Sequence, residues 1–320
     1  MNTKIFDPGK RRFLFAGALS FASLKLGTLN GAAPEKDARK GKNATMAQIE
    51  DRLNAKVAEY DLQIERLKAV NAIQNCMARY EMYHLVSNEI GNTPECFALW
   101  RDDVTVEISN EGVVYGAKNV ENYWKAMSPK DGVAKKGCIF FHTLATPCIQ
   151  VAGDCKTAKV TWASPGFEAD CGKNIMDGSD HMAVWCWGKY GIDFIKNPKT
   201  GEWKIWHQRW FRTTRNEYHL DFVEFARKED AAKGQPKLPP GGPAGTPPMS
   251  GNTSQKLPTI FHAPLSAEVP HHPFPINPEP YETYNGDFRW IYGGAEREKL
   301  YGVKYLNYEK YFNTAYPNVI

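Results

Sequence analysis

The chain has 320 residues, with 40 Lys and Arg against 36 Asp and Glu, so its formal net charge is +4. A surplus this small leaves little to neutralise a phosphate backbone, and the composition gives no support to nucleic-acid binding. The mean hydropathy of −0.51 and the lack of an uninterrupted apolar run of about 18 residues argue against a multispan membrane protein. Nine Trp, 15 Tyr and 16 Phe supply ample core material, which excludes disorder of the whole chain.

Residues 1–33 resemble an export signal. Arg11 and Arg12, followed by Phe13-Leu14, precede a moderately apolar stretch that ends in small residues at 31–33. This layout is typical of secretory signals, and the paired arginines are typical of the twin-arginine route. We expect a periplasmic or cell-envelope protein without a stable membrane span after processing, or a cytoplasmic one if the signal is not used. The alternative structure is a short basic amphipathic helix lying on the protein.

Residues 34–66 are predicted to form a linker and an N-terminal helical extension. From Met46 to His84, apolar residues recur every three or four positions, which is the helix period. At 1.5 Å per residue, an unbroken helix would be on the order of 60 Å long. Because a small domain cannot cover that length, we expect its first half to pack on a partner or on the C-terminal tail. The helix is expected to stop by Gly91 to Pro94.

Residues 67–215 are predicted to form the main domain, with helices first and strands later. Short helices are expected at Pro94–Trp100 and Lys118–Met127, with a strand at Val104–Ile108 between them. Later segments are rich in Val, Ile, Thr, Phe and Trp and are predicted as strands: 138–151, 156–164, 180–195 and 202–213. This order predicts an α+β fold, with the helices on one face of a curved antiparallel sheet.

The C-terminal part is predicted to lack a domain of its own. Residues 216–257 contain a Pro- and Gly-rich run at 236–243, so we interpret the segment as a linker. Residues 258–320 are rich in Tyr, Phe and Trp but have no strong helix or strand period. We expect this aromatic tail to wrap over the main domain or over a neighbouring subunit, with a structural role.

Motifs for cofactors are missing from the sequence. It contains no G-x-G-x-x-G, no P-loop, no H-E-x-x-H and no G-x-S-x-G. Seven cysteines, an odd number without C-x-x-C spacing, are interpreted as small buried residues rather than as ligands or nucleophiles. His142, His181 and Asp180 offer two imidazoles and a carboxylate, which is a known set of iron ligands. Their spacing in the sequence, however, resembles no standard facial triad. We therefore predict no cofactor and no metal, and expect histidine, tyrosine and carboxylate chemistry.

Four motifs between Leu67 and Trp210 resemble the SnoaL-like group of the NTF2-like superfamily. The first is Arg79-Tyr80 followed by F-A-L-W-R-D-D-V at 97–104, and the second is Tyr115-Gly116 before a short helix. The third is H-T-L-A-T-P-C-I-Q-V-A-G-D at 142–154. The fourth is the closing hairpin, with G-K-Y at 188–190 and G-E-W-K-I at 201–205. Each motif is weak alone, but their order and spacing together are specific. The stretch covers under half of the chain.

The resemblance implies a cone-shaped α+β barrel with an apolar pocket in its mouth. The group includes scytalone dehydratase, bile-acid 7α-dehydratase and diarylpropane lyase-type proteins. In its dehydratase-like members a strand histidine acts as base or acid and a helix tyrosine polarises the substrate; His142 and Tyr80 match these positions. Such members often carry an Asp about five residues after the tyrosine, where this chain has Leu85. His84, one helical turn after Tyr80, is expected to take over the orienting role.

The residues around His142 also make it a catalytic candidate, independently of the resemblance. Phe140-Phe141 and Thr143-Leu144 flank it on an alternating strand, and histidine readily takes and returns a proton near neutral pH. The alternative is a core histidine bonded to a backbone carbonyl. The catalytic residues are therefore predicted to be His142, Tyr80 and His84.

Substrate binding is predicted for Tyr83, Asp180, His181 and Arg209. Asp180 opens a strand and either faces His142 across the pocket or caps a turn. Trp203, Ile205, His207 and Arg209 share one side by the strand period of two, so Arg209 is either a pocket cation or a surface charge. Glu168, Asp170 and His207 are further candidates.

Together these observations predict a cofactor-independent lyase acting on a hydrophobic, hydroxylated aromatic or polycyclic small molecule. The alternatives are a double-bond isomerase and a non-catalytic binding or assembly module. We expect a homodimer or homotrimer, because proteins of this family commonly associate through the open sheet face.

Overall fold

The computed structural model describes residues 45–84, 89–109, 112–128, 138–170, 182–233, 256–257, 265, 267, 275–286 and 290–291. The chain divides into two units, residues 1–54 and residues 55–320. In the first unit, the described residues are 45–54, where the first helix begins. The predicted export signal, residues 1–33, lies outside the described residues.

Four helices are described: α1 (Met46–His84), a 3₁₀ helix (Ile90–Cys96), α2 (Ala117–Lys125) and α3 (Phe222–Lys233). Helix α1 buries one face only in its last four turns, at Ala69, Ile73, Cys76, Met77, Tyr80 and Glu81. These residues are three or four apart, so they line one side of the helix. Helix α2 adds Val120, Tyr123 and Trp124 to the same core.

Nine strands form one sheet in the described part of the chain: β1 (Thr105–Ile108), β2 (Val113–Tyr115), β3 (Cys138–His142), β4 (Ala145–Val151), β5 (Thr157–Ser164), β6 (Gly166–Asp170), β7 (Met182–Lys196), β8 (Trp203–Glu217) and β9 (Lys256–Leu257). The strand order is β3-β6-β7-β8-β1-β2-β9, and β4 and β5 extend the sheet beside β7. Neighbouring strands are antiparallel except for β1 and β8, which are parallel. This architecture confirms the predicted α+β fold.

The sheet bends where the chain is interrupted at two neighbouring places, between β5 and β6 and between β3 and β4. Strand β7 pairs with β6 over residues 182–185 and with β5 over residues 188–195. Pro165 separates β5 from β6, and Thr143-Leu144 separates β3 from β4 opposite it. A proline has no N–H for the ladder, so it favours such a break. The bend brings the end of β3 towards helix α1.

A β-bulge in β8 decides which of its residues face the core. Ile205 is paired with Phe194, whereas His207 is paired with Asp193, so Trp206 is the extra residue between them. Directly opposed residues share a face and successive residues alternate, so the bulge puts Ile205 on the core face and His207 on the other. The prediction that Trp203, Ile205, His207 and Arg209 share one side was therefore wrong, since strict alternation cannot anticipate a bulge.

Residues 275–286 and 290–291, from the predicted aromatic tail, cover the sheet face opposite to α1. The buried Asp193 carboxylate accepts hydrogen bonds from Tyr284 Oη at 2.8 Å and from Trp290 Nε1 at 2.7 Å. The tail also receives a backbone bond from Gly153 N to Tyr281 O at 2.9 Å. A buried anion with donors from distant parts of the sequence fixes the tail to this face.

The segment predicted as a linker contains regular structure. Strand β8 continues to Glu217, and helix α3 occupies residues 222–233. Asp221 accepts hydrogen bonds from the backbone N–H groups of Val223 and Glu224, both at 2.8 Å, which is the usual N-cap arrangement. The helix expected at Pro94–Trp100 is replaced by the earlier 3₁₀ helix, because Phe97 bridges to Ile205 of β8.

No helix within the described ranges is both long and apolar enough to cross a membrane.

Candidate active site

Tyr80 and His84 on α1 meet His142 at the end of β3. The two histidines are joined by a contact of 3.2 Å between His84 Nε2 and His142 Nδ1. The rings of Tyr80 and His84 are stacked with centroids 4.8 Å apart. Tyr80 is fully buried, whereas the side chains of His84 and His142 are 11% and 10% exposed. The three residues predicted as catalytic therefore form one cluster, with the histidines nearest to solvent.

The partner of His142 on its other side is Glu168 of β6. His142 Nε2 lies 3.4 Å from Glu168 Oε1, which is longer than a normal hydrogen bond. The two residues meet because β3 and β6 are paired, with Phe140 opposite Glu168 and His142 opposite Gly166. A Cβ at Gly166 would lie 2.4 Å from His142 Cδ2 and from Phe141 O, so this position requires glycine.

Arg215 of β8 keeps Glu168 ionised. Its Nε and a terminal guanidinium nitrogen donate to Glu168 Oε2 at 3.1 and 3.0 Å. Burial alone would raise the pKa of Glu168, but the interaction with His142 and the charge of Arg215 lower that pKa to about 2. A permanent carboxylate therefore stands beside His142 over the whole physiological pH range.

The hydrogen bonds of His84 define which nitrogen of His142 carries a proton. The carbonyl oxygen of Tyr80 can only accept, so His84 Nδ1 donates to it, at 3.1 Å. Burial, followed by the charge of His142, lowers the pKa of His84 to about 3, so His84 is neutral near pH 7 and its Nε2 accepts. His142 Nδ1 therefore donates to His84. In neutral His142 the lone pair is then on Nε2, beside Glu168.

Glu81 adds a second carboxyl group at the base of this cluster. Its Oε2 lies 3.4 Å from His84 Nδ1, and the residue is buried. Burial raises the pKa of Glu81 to about 8, and a weak interaction with Tyr190 offsets only part of this effect. Glu81 is thus a neutral carboxylic acid near pH 7, in contrast to the ionised Glu168. Environments that separate the pKa values of two carboxyl groups are characteristic of acid/base sites.

Aromatic side chains enclose the cluster. Trp210 of β8 stacks on His142 with centroids 6.1 Å apart, and Trp124 of α2 packs edge-on to Tyr80 at 5.7 Å. Gly188 makes room for Trp210, since a Cβ there would lie 2.3 Å from the indole. The indole N–H groups of Trp124 and Trp210 are buried and have no hydrogen-bond partner among the described residues. The two indoles therefore form an aromatic wall around the histidines.

Among the residues that the structure describes, two groups bring possible metal ligands within 4.8 Å of one another: Glu81 with His84 and His142, and His142 with Glu168 and Cys186. In the first group the two histidine nitrogens point at each other across 3.2 Å rather than towards a common centre. In the second, a cation would lie next to the Arg215 guanidinium. The geometry is that of a proton-transfer chain more than that of a metal centre.

The remaining predicted residues lie elsewhere. Tyr83 is half-buried and packs against the core, while Asp180 and His181 lie outside the described residues, as does the side chain of Asp170. Arg209 is neither a pocket cation nor a surface charge, because it is buried on the opposite face, 3.5 Å from Glu107. His207 lies on that face as well, 3.0 Å from Asp193.

Glu168 was predicted from the sequence only as a further candidate for the site. Glu81, Gly166 and Arg215 were not predicted as site residues. The signal for Glu81 is a carboxyl group at a core position of the α1 period, next to Tyr80. The signal for Glu168 is an acidic residue in the short strand that follows Pro165. Arg215 has no such signal, because its approach to Glu168 depends on the β7–β8 register.

The fold is that of an α+β domain, and it brings two histidines and two carboxyl groups into one cluster. Residues 65–209 match the family model described as a SnoaL-like domain. This confirms the resemblance noted from the motifs. A comparison with curated proteins found no match.

Three solved structures illustrate the likeness. One is described as a candidate scytalone dehydratase from Novosphingobium aromaticivorans, with 18% identity, covering 50% of this chain and 93% of the other, at a TM-score of 0.38. Another is LinA, with 14% identity, coverage of 50% and 97%, and a TM-score of 0.36. A third is an NTF2-like protein with a cystatin-like fold from Novosphingobium aromaticivorans, with 16% identity, coverage of 58% and 97%, and a TM-score of 0.30.

Proposed function

We propose that the protein is a cofactor-independent lyase that eliminates water from a hydrophobic, hydroxylated small molecule, with His142 as the proton shuttle. The observation that carries the proposal is the position of His142, held between neutral His84 at 3.2 Å and ionised Glu168 at 3.4 Å. A histidine fixed at one nitrogen, with its other nitrogen beside a carboxylate, is suited to accept a proton and to carry the charge that follows.

The proposed reaction leaves His142 in its starting protonation state, because the proton that it takes from the substrate departs with the hydroxide as water. With substrate bound, the His142–Glu168 contact opens so that the buried Nε2 faces the substrate. Nε2 then takes a proton from the carbon next to the leaving hydroxyl group, and the C–H electron pair forms the new double bond as the C–O bond breaks. The departing hydroxide then takes the same proton from His142 and leaves as water. Glu168 stabilises the transient imidazolium, and Arg215 keeps Glu168 ionised. In a C–C cleaving variant, the proton would come from a substrate hydroxyl group.

Tyr80 and His84 serve as positioning residues in this proposal. Tyr80 is fully buried and stacks beneath the His84 ring, and its carbonyl oxygen accepts the His84 Nδ1 proton. This differs from a tyrosine whose hydroxyl group polarises the substrate directly. The expected consequence is that Tyr80→Phe, which keeps the ring and the carbonyl, loses much less activity than His142→Gln.

The aromatic surroundings support an aromatic or polycyclic substrate. Trp210 and Trp124 present ring surfaces next to the histidines. Flat apolar molecules stack on such surfaces, and a hydroxyl group next to His142 provides the leaving group that elimination requires. The proposed location is the periplasm or cell envelope, on the basis of the twin-arginine-like residues 1–33.

The test is turnover of a panel of hydroxylated aromatic and polycyclic compounds, followed by the absorbance of the conjugated product and by mass spectrometry for lost water. A proton shuttle contributes about 10²–10⁴-fold in rate, so His142→Gln should lower turnover by at least about a hundredfold. His219→Gln, the same change at an exposed histidine, is the matched control and should be unaffected. Retention of more than about a third of turnover by His142→Gln would refute the role of His142.

An isomerase is the second candidate, favoured by Glu81. A carboxyl group held neutral near pH 7 can stabilise an enolate oxygen, as an isomerisation next to a carbonyl requires. The product distinguishes the two reactions, because isomerisation leaves the substrate mass unchanged. Saturable binding of the panel compounds without any turnover would instead identify a binding module.

A further inference from the structure

We propose that residues 57–67 of helix α1 form a parallel two-stranded coiled coil with a second copy of this chain. The proposal goes beyond the candidate function, because none of these residues belongs to the His142 cluster. It concerns an apolar stripe, defined as Val57, Tyr60, Ile64 and Leu67.

The stripe is large and open to solvent. Val57, Tyr60, Ile64 and Leu67 are 49%, 56%, 48% and 71% exposed. Their spacing of three, four and three places Val57 and Ile64 at heptad position a and Tyr60 and Leu67 at position d. In the sequence, Leu53 and Met46 continue the same d positions. A contiguous exposed apolar stripe of this kind marks an interaction surface rather than scattered surface residues.

The stripe has no partner within the described residues. Every residue of α1 from Ala55 to Ile64 is exposed, and the buried face begins only at Ala69, on another side of the helix. Most helical stability in proteins comes from packing of an apolar face, so a helical arm of this length with an open stripe calls for an additional contact.

The charges beside the stripe favour a second copy in parallel orientation. Lys56 is at heptad position g and Asp61 at position e of the next heptad. In a parallel, in-register pair these two positions of opposite helices are neighbours, so Lys56 of each copy faces Asp61 of the other. Lys56 bonds Glu59 of its own helix at 2.5 Å but keeps 62% of its side chain exposed, so it can reach across.

The sheet face around Asp193 is less suited to the second copy. Residues 275–286 and 290–291 of the same chain already cover it, with Tyr284 and Trp290 bonded to Asp193. The stripe on α1, by contrast, remains open in the described part of the chain.

The test measures the mass of the full chain by light scattering and sedimentation at micromolar concentration. The expected mass is about twice 36.1 kDa. Ile64→Glu should weaken the dimer by at least about a hundredfold, because it places a charge at a buried a position. Leu62→Glu is the matched control: Leu62 is 42% exposed on the same helix but lies at position f, and its replacement should leave the mass unchanged.

Charge reversal tests the orientation. Asp61→Lys places two cations opposite each other, since the new ammonium group then faces Lys56 of the second copy. This change should weaken the dimer by about tenfold, and adding Lys56→Glu should restore it. A weakened dimer that the double variant does not restore would overturn the parallel register.

Other results would overturn the proposal as a whole. One is a dimer that Ile64→Glu leaves intact. Another is a monomeric wild-type chain: if residues 57–67 are then protected from hydrogen exchange, the stripe is covered by another segment of the same chain, such as residues 292–320. Turnover by the His142 site is measured separately, so failure of the dimer leaves the proposed lyase activity to its own test.

Discussion

Replacement of Glu81 by Gln should change how the stability of the protein depends on pH. Glu81 is buried below His84, and burial raises its pKa from 4.5 to about 8. The folded protein therefore holds a proton on Glu81 between pH 4.5 and about 8, where the unfolded chain has released it. Since the folded state binds more protons in this window, the free energy of unfolding falls as the pH rises.

The magnitude follows from the two pKa values. At 1.36 kcal/mol per pKa unit, a pKa moved from 4.5 to about 8 corresponds to a stability loss on the order of 5 kcal/mol, spread over that window. Gln has nearly the same size as Glu and no titrating proton, so Glu81→Gln removes this pH-dependent loss of stability. The variant should gain stability relative to the wild type as the pH rises, with little difference below pH 4.5.

Urea unfolding at half-unit steps from pH 4 to pH 9 measures the difference directly. Comparison of variant with wild type at each pH cancels the other titrating groups, including His84. Glu95→Gln, at an exposed position, is the control and should give a difference that does not vary with pH. A flat difference for Glu81→Gln as well would show that Glu81 is already ionised in the folded protein, and the reasoning from its burial would fail.

Three further predictions concern other parts of the chain. Gly166→Ala should lower the free energy of unfolding by about 1–3 kcal/mol and impair turnover, because the alanine Cβ would collide with His142 and with Phe141 O. Urea unfolding measures the change, and wild-type stability in the variant would show that β3 has room to move. Asp193→Asn should release the tail, since a neutral amide replaces the carboxylate that Tyr284 and Trp290 share. Trypsin should then cleave more readily at Lys and Arg residues within 276–320, and an unchanged digestion pattern would contradict the anchoring role. Arg11→Lys with Arg12→Lys should retain the precursor in the cytoplasm, as cell fractionation would show, whereas normal processing of this variant would argue against the twin-arginine route.

Local sequence patterns were enough to predict the class of fold and the centre of the candidate site. Helix α1 and the strands can be predicted from local patterns. One side of a helix faces the core every 3.6 residues, and one side of a strand faces it every two residues. Tyr80 and His84 share a face of α1 for the same reason, and the motif at 142–154 singled out His142. These predictions needed no knowledge of which strands are neighbours.

The surroundings of His142 depend on contacts between distant segments of the chain. Glu168 reaches it because β3 and β6 pair in one register, and Arg215 reaches Glu168 because β8 lies next to β7 in another. A single extra residue, Trp206, turns His207 and Arg209 to the face of β8 opposite to Ile205, although strict alternation had placed all three on one face. Register and bulges are set by packing between distant segments, and a shift of one residue reverses the facing of a whole strand. That is why His142 and Glu168 could each be named from the sequence, whereas their contact with each other could not be predicted.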